Sequence, residues 1–167
     1  MPDVLAFSDR RSEGAFPVAD ASGEVVASIR VARWSGASFT ATTTDGGPLC
    51  SGRHRGWLST WWDAADPQGA PLCSLKSGVW GTRRRVLLPG RPELTLTGQW
   101  FGRDWSMTDA AGTPVLLSEP STGPFSLRPD AWVVRCLDPS LTLAQVVAVV
   151  ETNRLLVKAS RASAAAG

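Results

Sequence analysis

Between Leu141 and Val150 the chain reads Leu-Thr-Leu-Ala-Gln-Val-Val-Ala-Val-Val, in which Gln145 is the only strongly polar side chain. No helical register gives this segment the wet half that a surface helix needs. Full burial stabilises each Leu or Val by about 1.5–3 kcal/mol, so leaving half of them in water forfeits several kcal/mol, comparable with the whole stability of a domain. An open sheet covers only one side of such a helix. A sheet closed around it covers every side and removes exposed strand edges as well. The run is about half as long as a bilayer-spanning helix, and Glu151, Asn153 and Arg154 follow directly, so no transmembrane segment is expected.

The rest of the chain supplies strands for that closed sheet. In "EVVASIRV" the alternation places Val25, Ala27, Ile29 and Val31 on one face, and in "ELTLTGQW" it groups Leu94, Leu96 and Trp100 opposite Thr95, Thr97 and Gln99. Shorter stretches such as "SFTATTT", "WLSTWW", "PLCSLKS", "VWGTRRRVLL", "DWSMTD", "TPVLLSE" and "AWVVRCL" bring the total to about a dozen, the pattern of an all-β barrel or sandwich. The segments "VADASGEVVASI", "TTTDGGPLC", "WWDAADPQGAPLCSL" and "WSMTDAAGTPVLL" each run strand, Asp, small residues, Gly, strand. Asp bonds its own downstream backbone and Gly takes the positive φ, so each reads as a tight hairpin and together they imply a meander. Asp138 is expected to cap the last helix, with Pro139 in its first turn and Leu141 onward helical. The reading is a single domain over residues 1–158, followed by a disordered tail over 159–167.

Composition sets the class. The 167 residues, 43% hydrophobic and 19% charged, suit one globular domain that needs neither metal nor disulfide support. Cys50, Cys73 and Cys136 are odd in number and widely spaced, and the start "MPDVLAFSDRR" has no basic n-region or long apolar stretch. A reducing, cytosolic setting is the expectation. The net charge of +2 alone points to no polyanionic partner, but residues 53–103 hold eight Arg or Lys against three acids. That concentrates a basic face in the middle third.

With the Asp-Gly hairpins in order, the segment "GQWFGRDWSMTDAAG" from Gly98 to Gly112, and the Asp-led apolar helix "DPSLTLAQVVAVV", the chain resembles the LURP-one-related proteins. These belong to the tubby C-terminal-like superfamily, which also contains phospholipid scramblases. The resemblance runs from about Phe16 to Val157. It implies a mainly β fold, a closed barrel of twelve antiparallel strands enclosing a hydrophobic C-terminal helix. Tubby proteins hold phosphoinositide headgroups with exterior Lys and Arg, but their paired basic motif cannot be placed on particular positions here. Scramblases carry a Cys-rich palmitoylated stretch, which this chain lacks, so scramblase activity is not carried over.

Catalytic chemistry finds little material. His54 is the only histidine, and Arg53 and Arg55 flank it and oppose its protonation, so it makes a poor proton acceptor. No G-x-S-x-G, phosphate-binding Gly loop with Lys, H-E-x-x-H or paired Cys is present, and no cofactor or metal is called for. A non-enzymatic protein is expected. The best functional candidate is "GTRRRVLLPGR": arginine forks match phosphate geometry, and several on one surface would hold a phospholipid headgroup or similar anion at a peripheral membrane contact. The candidate ligand-binding residues are Arg83, Arg84, Arg85, Lys76, Arg91, Arg53 and Arg55. In an extended strand Arg83 and Arg85 point one way and Arg84 the other, so a bulge or an exposed strand end is expected there. Most of Trp57, Trp61, Trp62, Trp80, Trp100, Trp105 and Trp132 should be core. Trp61 and Trp62 are adjacent, so one of them faces out and suits a scaffold or adaptor that contacts a protein partner. Nucleic acid is not an expected partner, since no stacking motif accompanies the basic residues.

Overall fold

In a computed structural model the described residues are 2–8, 15–32, 38–56, 60–77, 83–98, 104–120 and 132–165. Twelve strands precede one helix in chain order: β1 (Val4–Phe7), β2 (Phe16–Asp20), β3 (Val25–Val31), β4 (Ser38–Thr43), β5 (Pro48–His54), β6 (Trp61–Ala65), β7 (Pro71–Ser77), β8 (Arg83–Leu87), β9 (Leu94–Gly98), β10 (Trp105–Thr108), β11 (Pro114–Pro120), β12 (Trp132–Cys136) and α1 (Leu143–Ala165). Each strand pairs antiparallel with its sequence neighbours, and β1 pairs with β12 to close the barrel. The closed sheet that the apolar helix demanded is the observed fold.

Turn chemistry sets the spacing. Asp66 Oδ1 accepts the N–H groups of Gln68 (2.9 Å) and Ala70 (2.8 Å), and Asp109 does the same for Ala111 and Thr113. Gly23, Gly46, Gly69, Gly90 and Gly112 all take positive φ, between 72° and 86°, where a Cβ is disfavoured. All five hairpins lie at one end of the barrel, the turn end. By antiparallel alternation the opposite ends of the strands make up the far end.

α1 begins one residue after Thr142, whose hydroxyl accepts the N–H of Gln145 while Gln145 Oε1 accepts the N–H of Thr142. This reciprocal capping box replaces the expected cap at Asp138. Asp138 instead accepts the Ser140 N–H (2.9 Å) and pairs with Arg91. The helix enters from the turn end and packs most closely against β5, β6 and β7. Every residue from Val146 to Leu156 is buried. The helix runs to Ala165, beyond Lys158.

The wall alternates inward and outward as strand periodicity requires. Leu5, Val18, Ile29, Leu75, Val86, Leu96, Met107 and Val134 are inward and essentially inaccessible. Two glycines allow close approaches: a Cβ on Gly52 would lie 2.2 Å from the Phe39 ring, and one on Gly98 would lie 2.8 Å from Trp105 Cβ on the neighbouring strand. Trp62, Trp105 and Trp132 are core, as expected of most tryptophans. Trp57, Trp80 and Trp100 lie outside the described residues. Among the described residues no helix is long and apolar enough to cross a membrane.

Candidate functional site

The outer surface of β5 to β8 presents a lateral row of charge near the far end. Register pairs Trp61 with Lys76 and Lys76 with Arg85, while the N–H of Arg55 donates to the Trp61 carbonyl. Trp61, Lys76 and Arg85 therefore sit side by side on β6, β7 and β8, with Arg55, one residue past the end of β5, beside Trp61, a span of about 14 Å. The half-buried Trp61 ring lies between two cations: Arg55 Cζ is 5.2 Å from its centroid and Lys76 Nζ is 5.3 Å. Arg53 on β5 and Arg83 on β8 are also outward and exposed.

Two carboxylates share this surface. Asp63 accepts a bidentate pair from Arg55 (2.7 Å for both bonds) and a bond from the Ser74 hydroxyl (2.6 Å), and the Arg55 hydrogen bond lowers its pKa. Glu93 is held below the usual carboxylate range by Arg85, whose Nε donates at 2.7 Å. Five cations against two carboxylates leave the surface basic. Among the described residues, Arg53 and Arg83 enter no ion pair. Beside Arg53 the barrel surface is dished into a groove of about 390 Å³, lined by Ser38, Thr40, Ser51, Arg53 and Asp63.

Two of the seven sequence candidates are elsewhere. Arg84 is 4% exposed and points inward from a regular β8, without the bulge or exposed end expected of it. Its Nη1 donates to Asn153 Oδ1 on α1 at 2.8 Å, so the interior has a polar partner waiting for it. Burial lowers the Arg84 pKa from its usual very high value. Arg91 sits in the β8–β9 turn at the opposite end, bound to Asp138 and Ser140, where it anchors the approach to α1. The remaining five, Arg53, Arg55, Lys76, Arg83 and Arg85, do share one surface.

Sequence reasoning missed the polar interior. Glu151, Thr152, Asn153 and Arg154 are consecutive on α1 and all buried. Arg154 donates twice to Glu151 Oε2 (3.0 and 2.8 Å) and stacks over the Phe16 ring at 4.7 Å. Thr152 Oγ1 lies 4.0 Å from Cys73 Sγ. In the sequence Glu151, Asn153 and Arg154 count only against a membrane span. The signal that would have found them is Arg84, an inward charge that needs an inward partner.

Nucleophilic chemistry has poor prospects in this interior. Burial pushes the thiols of Cys50 and Cys73 up to about 12, which keeps them protonated. His54 lies against the Trp62 ring, centroids 4.8 Å apart, at the edge of the core. Among the described residues no three His, Cys, Asp or Glu side chains cluster as metal ligands would.

No family model matches the sequence, and no curated protein matches it. Among solved structures, the crystal structure of an Arabidopsis thaliana protein superimposes with a TM-score of 0.64 at 14% identity, covering 96% of this chain and 93% of that one. At that identity the likeness is one of fold: a closed twelve-stranded antiparallel barrel with a C-terminal helix inside.

Proposed function

We propose that the protein is a non-enzymatic binding module of LURP-one-related kinship whose outer β5–β8 surface engages an anionic phospholipid headgroup. The observation that carries this reading is the row of Arg55, Lys76 and Arg85 around an outward Trp61, with Arg53 and Arg83 beside it in no ion pair among the described residues. Guanidinium forks match phosphate oxygens, and an indole held at the surface suits the headgroup level of a bilayer. The groove beside Arg53 is of a size to receive a polar headgroup. The free, buried thiols of Cys50 and Cys73 fit a cytosolic protein.

Co-sedimentation with vesicles of neutral lipid, with and without phosphoinositide, tests the reading. The triple variant Arg53→Ala, Lys76→Ala, Arg83→Ala should lose sedimentation, and raised salt should weaken the wild type. Arg91→Ala, altered at the opposite end, should bind as wild type does. Equal sedimentation of wild type and triple variant would refute the reading.

The position of Trp61 also supports a second reading, an adaptor surface for a protein partner. Of the adjacent pair it is Trp61 that faces out, because Trp62 is 5% exposed and part of the core. A pull-down that survives high salt but fails with Trp61→Ala would favour it.

A further inference from the structure

Arg55 differs from the other cations of the outer surface in how it is held. Its Nε donates to Asp63 Oδ2 and its Nη2 to Asp63 Oδ1, both at 2.7 Å, so the contact joins two carboxylate oxygens to one edge of the guanidinium. The Trp61 ring lies against the same group, 5.2 Å from Cζ to centroid, and the Arg55 N–H donates to the Trp61 carbonyl at 3.0 Å. Arg85 is held less firmly, since its Nε and Nη2 both reach a single Glu93 oxygen. Arg53 and Arg83 enter no ion pair among the described residues.

Asp63 is itself held. Ser74 pairs with it in register from β7 and donates its hydroxyl to Asp63 Oδ1 at 2.6 Å. A guanidinium has five N–H groups, of which the Asp63 contact takes two. The edge formed by Nη1 and Nη2 keeps one N–H from each nitrogen, side by side and turned away from Asp63, an arrangement that two oxygens of a phosphate accept together. Arg55 is 52% exposed, and no hydrogen bond among the described residues occupies that edge.

Resting on the outer-surface reading, we propose that Arg55 is the fork that grips a phosphate group there, and that Asp63 and Ser74 are positioning residues that aim it. A long side chain fixed beforehand loses less conformational freedom on binding than a free one. Lys76, 5.3 Å from the centroid of the same Trp61 ring, adds a point charge beside the fork. A diffuse basic patch would respond to Asp63 with the opposite sign. In such a patch a nearby carboxylate only weakens attraction for an anion, so neutralising it tightens binding.

The full chain is sedimented with phosphatidylcholine vesicles, with and without phosphatidylinositol monophosphate. Asp63→Asn keeps the side-chain shape but accepts at one atom and turns an N–H2 group toward Arg55. It should weaken binding about two- to ten-fold, the range for ordering one rotamer-rich side chain. Ser74→Ala changes no charge and should weaken binding in the same direction. Arg55→Lys keeps the charge, loses the fork and should weaken binding at least as much. In nitrogen-15 spectra the Arg55 Nε–H resonance, identified by its loss in Arg55→Lys, should broaden in Asp63→Asn. Should Asp63→Asn fail to fold, Ser74→Ala and Arg55→Lys carry the test. An Asp63→Asn chain that binds as tightly as wild type or tighter, or an Arg55→Lys chain that binds unchanged, overturns the fork and leaves the basic surface standing. A wild type that does not sediment refutes the lipid reading on its own, and inorganic phosphate then decides the fork. Saturable movement of the Arg55 Nε–H resonance with phosphate supports it, and a resonance that ignores phosphate overturns it.

Discussion

Replacing Glu151 by Ala gives the sharpest test of the polar interior. Its carboxylate is 1% exposed and receives two N–H bonds from Arg154, which is itself 8% exposed. Removing the acid strands a buried guanidinium, a change that costs about 3–5 kcal/mol in comparable buried pairs. Against a domain stability of about 5–15 kcal/mol this is a large fraction. For 167 residues the unfolding entropy at the midpoint is about 0.35 kcal/mol/K, so Tm should fall by about 9–14 °C. Urea unfolding followed by tryptophan fluorescence, with thermal melts by circular dichroism, measures both quantities. The double replacement Glu151→Leu, Arg154→Met removes both charges at similar volume and should recover most of the loss. The resulting coupling should be at least about 2 kcal/mol. If Glu151→Ala costs under about 1 kcal/mol, as a solvent-exposed acid would, the helix does not carry these residues inside the barrel and the interior described here is wrong.

Other perturbations probe separate links. Gly52→Ala should destabilise by about 1–3 kcal/mol through overlap with the Phe39 ring, and Phe39→Leu in the same chain should relieve part of that, both read from urea midpoints. Thr142→Ala should cost about 1 kcal/mol by removing the side-chain half of the helix cap, measured in the same way. Arg91, then Ser140, lowers the pKa of Asp138 below its ordinary 3.8. The sign follows: a carboxylate depressed in the folded state stabilises above pH of about 3.8 and loses that contribution as pH falls through its folded value. Asp138→Asn should therefore lower stability by about 1–2 kcal/mol at neutral pH, and the difference from wild type should shrink in acid. A gap that is constant from pH 7 to pH 2 would show that charge on Asp138 is not the cause.

Local chemistry was readable without the fold. An Asp that bonds its own downstream N–H groups and a Gly at positive φ act within five residues, so "DASG", "DPQG" and "DAAG" announced their hairpins directly. The capping box at Thr142 and Gln145 is equally local, yet Asp138 and Pro139 gave a competing signal three to four residues earlier. What decided between them was Arg91, forty-seven residues away in sequence, which draws Asp138 into an ion pair.

The arginine cluster shows where local reading ends. Alternation along Arg83, Arg84 and Arg85 established that one of them opposes the other two, but a strand pattern does not say that the interior accepts a charge. Asn153, sixty-nine residues on, makes that interior acceptable. The outer row had the same character: Arg55, Trp61, Lys76 and Arg85 span thirty-one positions in sequence and become neighbours only through the register of four strands.

By itself the sequence determined that a helix without a polar side must be enclosed, since burial of Leu and Val side chains outweighs any open arrangement. It also determined how the wall turns. Only the tertiary structure decided which charges enter that enclosure and which gather outside it. Pairing a buried charge requires a partner on another strand or on the helix, and such partners are brought together by register and by closure of the barrel, which no short window of residues contains.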